Sequence, residues 1–98
     1  MSSRNTLLSS EQRQAATVLY RSLERARELW TRGENNAGKI RLEMTELIER
    51  EPSADISYIS IAHPGTLKEM LHRVKSPALV SLAVKFGRTR LIDNTILE

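Results

Sequence analysis

Cysteine is absent from the 98 residues, which excludes disulfides, thiol catalysis and cysteine-bound metals. Aromatic residues make up only 4% of the chain, too few rings for a stacking platform that binds single-stranded nucleic acid. No unbroken apolar run exceeds three residues, which excludes a membrane-spanning helix. The first residues, Met1 to Arg4, contain no apolar signal-peptide core. These absences predict a soluble, cytoplasmic protein without a membrane partner.

Neither sign of charge dominates. The net charge is only +3, and it is spread evenly along the chain. Residues 1–50 carry nine Lys/Arg and seven Asp/Glu, and residues 51–98 carry six and five. Because nucleic-acid-binding domains concentrate basic charge on one face, this distribution predicts no nucleic-acid partner.

The length fits one small domain or a piece of a longer protein. It is too short for two lobes around a catalytic cleft. Hydrophobic residues are 40% and charged residues 28% of the chain, which is typical of a globular domain.

Two helices are predicted in the first half of the chain. Apolar residues recur at three- and four-residue spacing from about Ser10 to Arg32, and Gly33 is a suitable stop. A second periodic stretch runs from Ala37 to about Arg50, where the following Glu51-Pro52 ends it. The short polar loop between them predicts an antiparallel helix pair.

The second half changes to β-type sequence. Residues 55–62 and 78–86 read as strands, and residues 88–93 read as a third strand after a Gly87-Arg88 turn. Between the first two we predict a turn at residues 63–65 and one helical turn over residues 66–70. Helices followed by strands predict an α+β fold, with the helix pair on a small, about three-stranded antiparallel sheet.

Few residues suggest chemistry by their spacing alone. His63 and His72 lie in no metal-ligand cluster, and we interpret both as surface or turn residues. Met1 to Asn5 places two hydroxyls and a guanidinium close together, a composition that suits oxyanions but equally a plain terminal tail.

Three blocks of the sequence, in order, match motifs of one enzyme family. Residues 1–9 resemble a Met-Ser-Ser-Arg-Asn-x-x-Leu-Ser stretch, and residues 55–67 resemble an Asp-Tyr-Val-Glu-x-Val-Asp-Pro-Glu-Thr-Leu stretch. Residues 87–94 match a Gly-x-Thr-Arg-Leu-Ile-Asp-Asn ending. With these motifs the chain resembles the pantoate–β-alanine ligase family. The resemblance covers essentially the whole chain but only the C-terminal domain of the family.

The resemblance implies the fold and the reaction. The family joins a Rossmann-like nucleotide-binding domain to a smaller α+β lid, and the complete enzyme is expected to be a homodimer. Pantoate and ATP form pantoyl adenylate and pyrophosphate, and the amine of β-alanine then displaces AMP to give pantothenate. Mg²⁺ accompanies ATP and is bound mainly by the N-terminal domain.

The resemblance also implies site residues. Residues 1–9 form a phosphate-contacting segment, and residues 10–98 form the lid. Met1 lies near adenine, Ser2 and Ser3 donate hydrogen bonds to phosphate, and Arg4 is catalytic because it offsets charge on the phosphates. Blocks 58–67 and 87–94 are expected to be structural, with an ion pair between Arg90 and Asp93.

The sequence departs from the family pattern at two turn positions. His63 replaces an Asp and Gly65 replaces a Glu. No His-x-Gly-His nucleotide motif is present either, so the chain alone is expected to be inactive without its N-terminal Rossmann-like domain. The main alternative is a standalone protein-interaction module without catalysis, and a weaker one is a small basic nucleic-acid-binding protein.

Overall fold

A computed structural model describes residues 10–98 of the chain. Two helices come first, α1 (Ser10–Thr31) and α2 (Ala37–Glu49). Three strands follow, β1 (Ala54–Ala62), β2 (Ala78–Phe86) and β3 (Thr89–Leu97). The strands form one antiparallel sheet in the order β1-β2-β3, with both helices on one side. The predicted α+β architecture is confirmed.

The connection between the helices is set by Gly33 and Asn36. Gly33 has a φ of +96°, and its N–H donates to the carbonyl of Trp30 while the N–H of Glu34 donates to that of Leu29. This pair of bonds is the Schellman motif that ends helices at glycine. Asn36 caps α2 because its side-chain oxygen accepts from the N–H of Lys39 at 3.0 Å.

The helices run antiparallel and bury one stripe each against the sheet. Arg25 of α1 contacts Glu43 of α2, each six residues from the connecting loop. The buried core is built mostly from aliphatic side chains, with Phe86 as its aromatic member. Its members are Leu19, Leu23, Ala26 and Leu29 of α1, Ala37, Ile40, Met44 and Ile48 of α2, Ile61, Ala78, Val80, Leu82, Val84, Phe86 and Leu97 of the sheet, and Val74 of the loop before β2.

The other side of the sheet faces away from the helices, and we call it the open sheet face. Strand register arranges its side chains in four rows across β1, β2 and β3. The rows are Asp55–Lys85–Arg90, Tyr58–Ala83–Ile92, Ser60–Ser81–Asn94 and Ala62–Leu79–Ile96. A bulge at Ser57 keeps Tyr58 and the later residues of β1 on these rows.

Two local predictions are wrong. β3 continues to Leu97 rather than ending at Asp93, because its polar residues stay paired with β2 as far as Ala78. Residues 66–70 form no helical turn. Leu67 instead has a φ of +59°, which reverses the chain so that Glu69 forms a bridge with Ala62.

The topology fixes which end of the fold receives the start of α1. α2 ends just before β1, whose first residue pairs with Phe86. Since α1 is antiparallel to α2, α1 begins at this same end, and Trp30 near its other end donates to the carbonyl of Glu98. The β2–β3 turn at Gly87 and Arg88 also lies there, so we call it the hairpin end.

Candidate functional site

The four residues predicted to contact ATP lie outside the described part of the chain. Met1, Ser2, Ser3 and Arg4 precede residue 10, so their predicted roles stay predictions. Their point of attachment is nevertheless fixed, because they precede α1 directly. The predicted phosphate-contacting segment therefore joins the domain at the hairpin end.

Three cations lie together at the hairpin end. Lys85 and Arg90 face each other across β2 and β3, and Arg88 is in the turn between those strands. All three side chains are exposed, and none of them forms an ion pair with a carboxylate whose side chain the structure describes. Like charges directly opposite each other destabilise a strand pair. This end of the open sheet face is therefore suited to an anionic partner.

The turn between β2 and β3 agrees with the predicted one. Phe86 pairs with Thr89, which leaves Gly87 and Arg88 as a two-residue connection. Gly87 has a φ of +62°, the left-handed conformation that a type II′ hairpin turn requires at its first central position.

The predicted ion pair of Arg90 with Asp93 is wrong. Three residues apart on an extended strand, the two side chains point to opposite faces, and Asp93 accepts from the N–H of Asn94 instead.

One carboxylate of the loop of residues 63–77 joins this loop to two other elements of the fold. Glu69 accepts hydrogen bonds from Ser60 Oγ at 2.6 Å, from the Ile61 N–H at 3.0 Å and from Arg41 Nη2 at 2.6 Å. Partial burial disfavours the charged carboxylate, but these hydrogen bonds and the charge of Arg41 outweigh it and lower the pKa of Glu69. The network joins α2, β1 and the loop, and we interpret it as structural.

Replacing Glu69 with glutamine is expected to lower stability in a pH-dependent way. A lowered pKa stabilises the fold above the ordinary value of 4.5, and that contribution is lost as pH falls through the lowered pKa. The side chain is 37% exposed, so we expect a loss on the order of only 1 kcal/mol at pH 7. Urea unfolding at pH 7, 5 and 3 measures it.

The matched control is Glu46→Gln, because Glu46 is exposed on α2 and no ion pair is found for it among the described residues. We expect the difference in stability between wild type and Glu69→Gln to shrink as pH falls from 7 to 3. A gap that stayed constant from pH 7 to pH 3 would contradict a role for the charged form.

The two departures from the family pattern are coupled. Nδ1 of His63 accepts from the N–H of Gly65 at 3.0 Å and of Thr66 at 3.2 Å, the bonds an Asp side chain makes in an Asx turn. A Cβ on Gly65 would lie 3.1 Å from Cε1 of the His63 ring. A side chain at position 65 would therefore crowd the imidazole, so glycine accompanies histidine. The turn keeps its shape, and the prediction that His63 is a turn residue is confirmed.

Other kinds of site are not found in residues 10–98. No group of three or more His, Asp or Glu residues there could hold a metal ion. No helix in this part of the chain is long and apolar enough to cross a membrane. A shallow surface groove along α1 is lined by residues of both charge signs, Glu24, Arg27, Glu28, Thr31 and Arg32, and most of these charges already pair with one another.

Sequence reasoning missed the row structure of the open sheet face. The signal was present, since the apolar residues Ile92 and Ile96 of β3 lie on the open sheet face while Leu91 and Leu97 occupy the other face. The alternation was not recognised because the predicted third strand ended at Asp93 and so left out Asn94 to Leu97.

Comparison with known proteins gives one consistent result. The family model for pantoate-beta-alanine ligase matches residues 1–96. The pantothenate synthetase of Pelotomaculum thermopropionicum is 52% identical over 97 residues, which are 99% of this chain and 34% of that protein. The pantothenate synthetase of Roseiflexus castenholzii is 51% identical over 98 residues, which are 100% of this chain and 35% of that protein.

Solved structures agree with the sequence matches. The crystal structure of pantothenate synthetase from Thermus thermophilus superposes with a TM-score of 0.86 at 35% identity. The match covers 97% of this chain and 34% of that one. The chain therefore spans about a third of the length of the relatives it matches.

Proposed function

The chain belongs to the pantoate-beta-alanine ligase family, and from this premise we propose that it works as the C-terminal lid of a pantothenate synthetase. The observation that supports the proposal most strongly is the extent of the match. Identity near 50% runs through the whole chain yet covers only about a third of each relative. In this proposal an N-terminal nucleotide-binding portion supplies the rest, in the same polypeptide or as a separate one, in a cytoplasmic homodimeric enzyme.

The proposed reaction joins two small molecules at the expense of ATP. A carboxylate oxygen of pantoate bonds to the α-phosphorus of ATP while the bond to pyrophosphate breaks. The amine of β-alanine then attacks the activated carbonyl, AMP leaves with the electron pair of the broken C–O bond, and the amine loses a proton. Activation is needed because AMP is a far better leaving group than oxide.

The role of this chain in the reaction is electrostatic. Ser2 and Ser3 donate hydrogen bonds to phosphate oxygens, Arg4 lies against the charge that grows on the leaving pyrophosphate, and Met1 lies near adenine. Donors held in place before the reaction lower the barrier more than mobile ones, because they need no reorganisation in the transition state. Attachment to the 22-residue helix α1 supports this assignment, since the positive end of the α1 dipole would favour the same phosphates.

Mg²⁺ is not assigned to the described residues. Residues 10–98 contain no carboxylate or histidine cluster of the kind that holds a metal ion. The hydroxyls and the guanidinium of Ser2, Ser3 and Arg4 are hydrogen-bond donors rather than a metal-binding set. We therefore propose no step of the reaction that passes through a metal ligand of this chain.

Reconstitution tests the proposal. The upstream portion of the Pelotomaculum thermopropionicum enzyme, about two thirds of its length, would be fused in frame to residue 1 of this chain. We expect the fusion to form pantothenate from pantoate, β-alanine and ATP and to support growth of a pantothenate-requiring bacterium, whereas either part alone does neither.

The intact relative serves as the positive control. An inactive fusion beside an active intact relative would count against the proposal and favour a standalone interaction module. Rapid turnover by the 98-residue chain alone would overturn it in a different way, because the chain would then hold a complete active site.

A further inference from the structure

The two edges of the sheet differ in how they are protected against another strand. On the β1 edge, a bulge at Ser57 interrupts the register, and the loop after β1 covers the end of the strand. There the N–H of Met70 donates to the carbonyl of Ile61, and Glu69 forms a bridge with Ala62. β3 pairs with β2 over all nine of its residues without a register shift. Within residues 10–98, no loop pairs with its outer side.

The outer side of β3 presents main-chain groups that the sheet does not use. Phe86 and Thr89 close the two-residue turn and are therefore a hydrogen-bonded pair. Hydrogen-bonded and non-hydrogen-bonded pairs alternate along an antiparallel ladder, so every second residue of β3 directs its N–H and C=O away from β2. These residues are Arg90, Ile92, Asn94 and Ile96. Such a row of main-chain groups is a template for a further strand.

A second copy of β3 fits this edge in a self-complementary register. Two copies related by a two-fold axis perpendicular to the sheet run antiparallel and keep their helices on the same side. With the axis at Asn94, Arg90 of one copy lies opposite Glu98 of the other, and Ile92 lies opposite Ile96. Every residue from Arg90 to Glu98 then has a partner. The open sheet face of the pair gains opposite charges at both ends of the new contact and apolar pairs between them, which are favourable cross-strand pairs.

The side chains on the helix side match in this register as well. Aliphatic Leu91 lies opposite Leu97, and polar Asp93 lies opposite Thr95. An axis at Ile92 would also satisfy the main-chain groups, but it would set Leu91 against Asp93 and shorten the contact. The pattern of the strand therefore selects one register of self-pairing.

The size of the contact fits a weak dimer. An edge of nine residues is about 30 Å long, and a sheet with one helical layer is about 20 Å deep, so each copy offers roughly 600 Å². Two such sides reach the roughly 1,200 Å² at which specific complexes begin. α1 packs against both β2 and β3, so its axis lies inside the edge. The axes of the two α1 helices are then about 10 Å apart, an ordinary distance between packed helices.

We propose that the outer edge of β3 is an interaction surface for a second copy of this chain, and that the pairing joins two three-stranded sheets into one six-stranded sheet centred on Asn94. Asp93 weakens the pairing, because its Oδ1 accepts from the N–H of Asn94 at 2.8 Å and must release that N–H to the second copy. The contact goes beyond the proposed function and does not depend on it, since it needs only the described domain.

Sedimentation equilibrium of the 98-residue chain tests for the dimer. Between about 10 μM and about 1 mM, the weight-average mass should rise from that of one chain towards that of two, with the midpoint on the order of 100 μM for a contact of this size. A mass that stays at one chain up to about 1 mM would overturn the proposal.

Exchanging two charges tests the register. Within one copy, Arg90 and Glu98 are eight residues apart on an extended strand, about 26 Å, so they cannot pair with each other. We expect Arg90→Glu to weaken the dimer by about 10-fold, because it sets like charges opposite each other at both ends. Arg90→Glu combined with Glu98→Arg should restore it. A double variant as weak as the single one would overturn the proposed register.

Two lysine substitutions in one row separate the β3 edge from the open sheet face. Ile92 lies on β3 and Tyr58 lies on β1, and both are exposed apolar residues of the same row. Ile92→Lys should weaken the dimer by about 10-fold or more, since edge lysines oppose strand pairing, whereas Tyr58→Lys should change it by less than about 2-fold. An equal loss in both variants would place the contact on the open sheet face and overturn the proposal.

Removing the Asp93 carboxylate provides a test that misfolding cannot imitate. Asp93→Ala releases the N–H of Asn94 for the second copy, so we expect the dimer to strengthen by about 5-fold, the worth of about one hydrogen bond. Circular dichroism checks that the variant keeps the fold. A folded Asp93→Ala variant with an unchanged or weaker dimer would contradict pairing centred on Asn94.

Discussion

Replacing Arg4 with alanine in the reconstituted enzyme is expected to lower kcat for pantothenate formation by about 100-fold or more. Losing one fixed donor to developing negative charge typically costs this much in other enzymes. The effect should appear in kcat more than in the KM for ATP, because the charge that Arg4 offsets grows only as pyrophosphate departs. Steady-state kinetics with saturating pantoate and β-alanine measure both constants.

Two further variants separate charge from geometry. Arg4→Lys keeps the positive charge but loses the planar pair of donors, so we expect partial recovery of kcat. Arg13→Ala removes an exposed guanidinium from the first turns of α1 and should change kcat by less than 2-fold. If Arg4→Ala and Arg13→Ala had equal kcat values, the catalytic role of Arg4 would be wrong.

Replacing Leu82 with alanine is expected to destabilise the fold by about 3 to 5 kcal/mol. Leu82 lies in the middle of the central strand, paired with Ile59 on one side and Asp93 on the other, and is completely buried. Truncation there leaves a cavity beneath both helices, and the loss is a large part of the roughly 5–15 kcal/mol that stabilises small domains. Urea unfolding followed by circular dichroism measures the change.

The same substitution at Leu42 isolates the effect of burial. Leu42 is 56% exposed on α2, so Leu42→Ala should change the free energy of unfolding by no more than about 0.5 kcal/mol. The slope of free energy against urea should be similar in both variants, since neither changes the surface exposed on unfolding. A Leu82→Ala loss below about 1 kcal/mol would mean that the core closes around the cavity.

Local rules were sufficient for the helices and for β2. Each helix has an apolar period and a terminating residue, and Ala78–Phe86 was predicted with both ends correct. The loop of residues 63–77 was not accessible to such rules, because its path depends on partners far away in sequence. Thr66 looks like a helix cap, yet the chain follows the bonds of Glu69 to Arg41 and Ser60. The end of β3 failed for a related reason, since Asp93 and Asn94 favour a turn until β2 pairs with them.

The candidate site was predictable from the sequence only in part. The roles of Ser2, Ser3 and Arg4 come from a family motif, because two hydroxyls and one guanidinium alone fit a terminal tail equally well. The opposition of Lys85 and Arg90 needs the strand register, which a hairpin turn at Gly87 already implied. The sequence therefore suggested a site before the first helix, while only the fold shows that this helix begins at the cationic hairpin end.

The fluorescence of Trp30, the single tryptophan, reports whether the first helix has packed against the last residues of the chain. Trp30 is half-buried, and its Nε1–H donates to the backbone carbonyl of Glu98 at 3.1 Å, joining residues 68 positions apart in sequence. A collapsed chain with only its helices and its hairpin formed would leave this indole in water. The emission of Trp30 should therefore report the packing of α1 against the core and the end of β3, so fluorescence and circular dichroism should follow different transitions in a partly folded state.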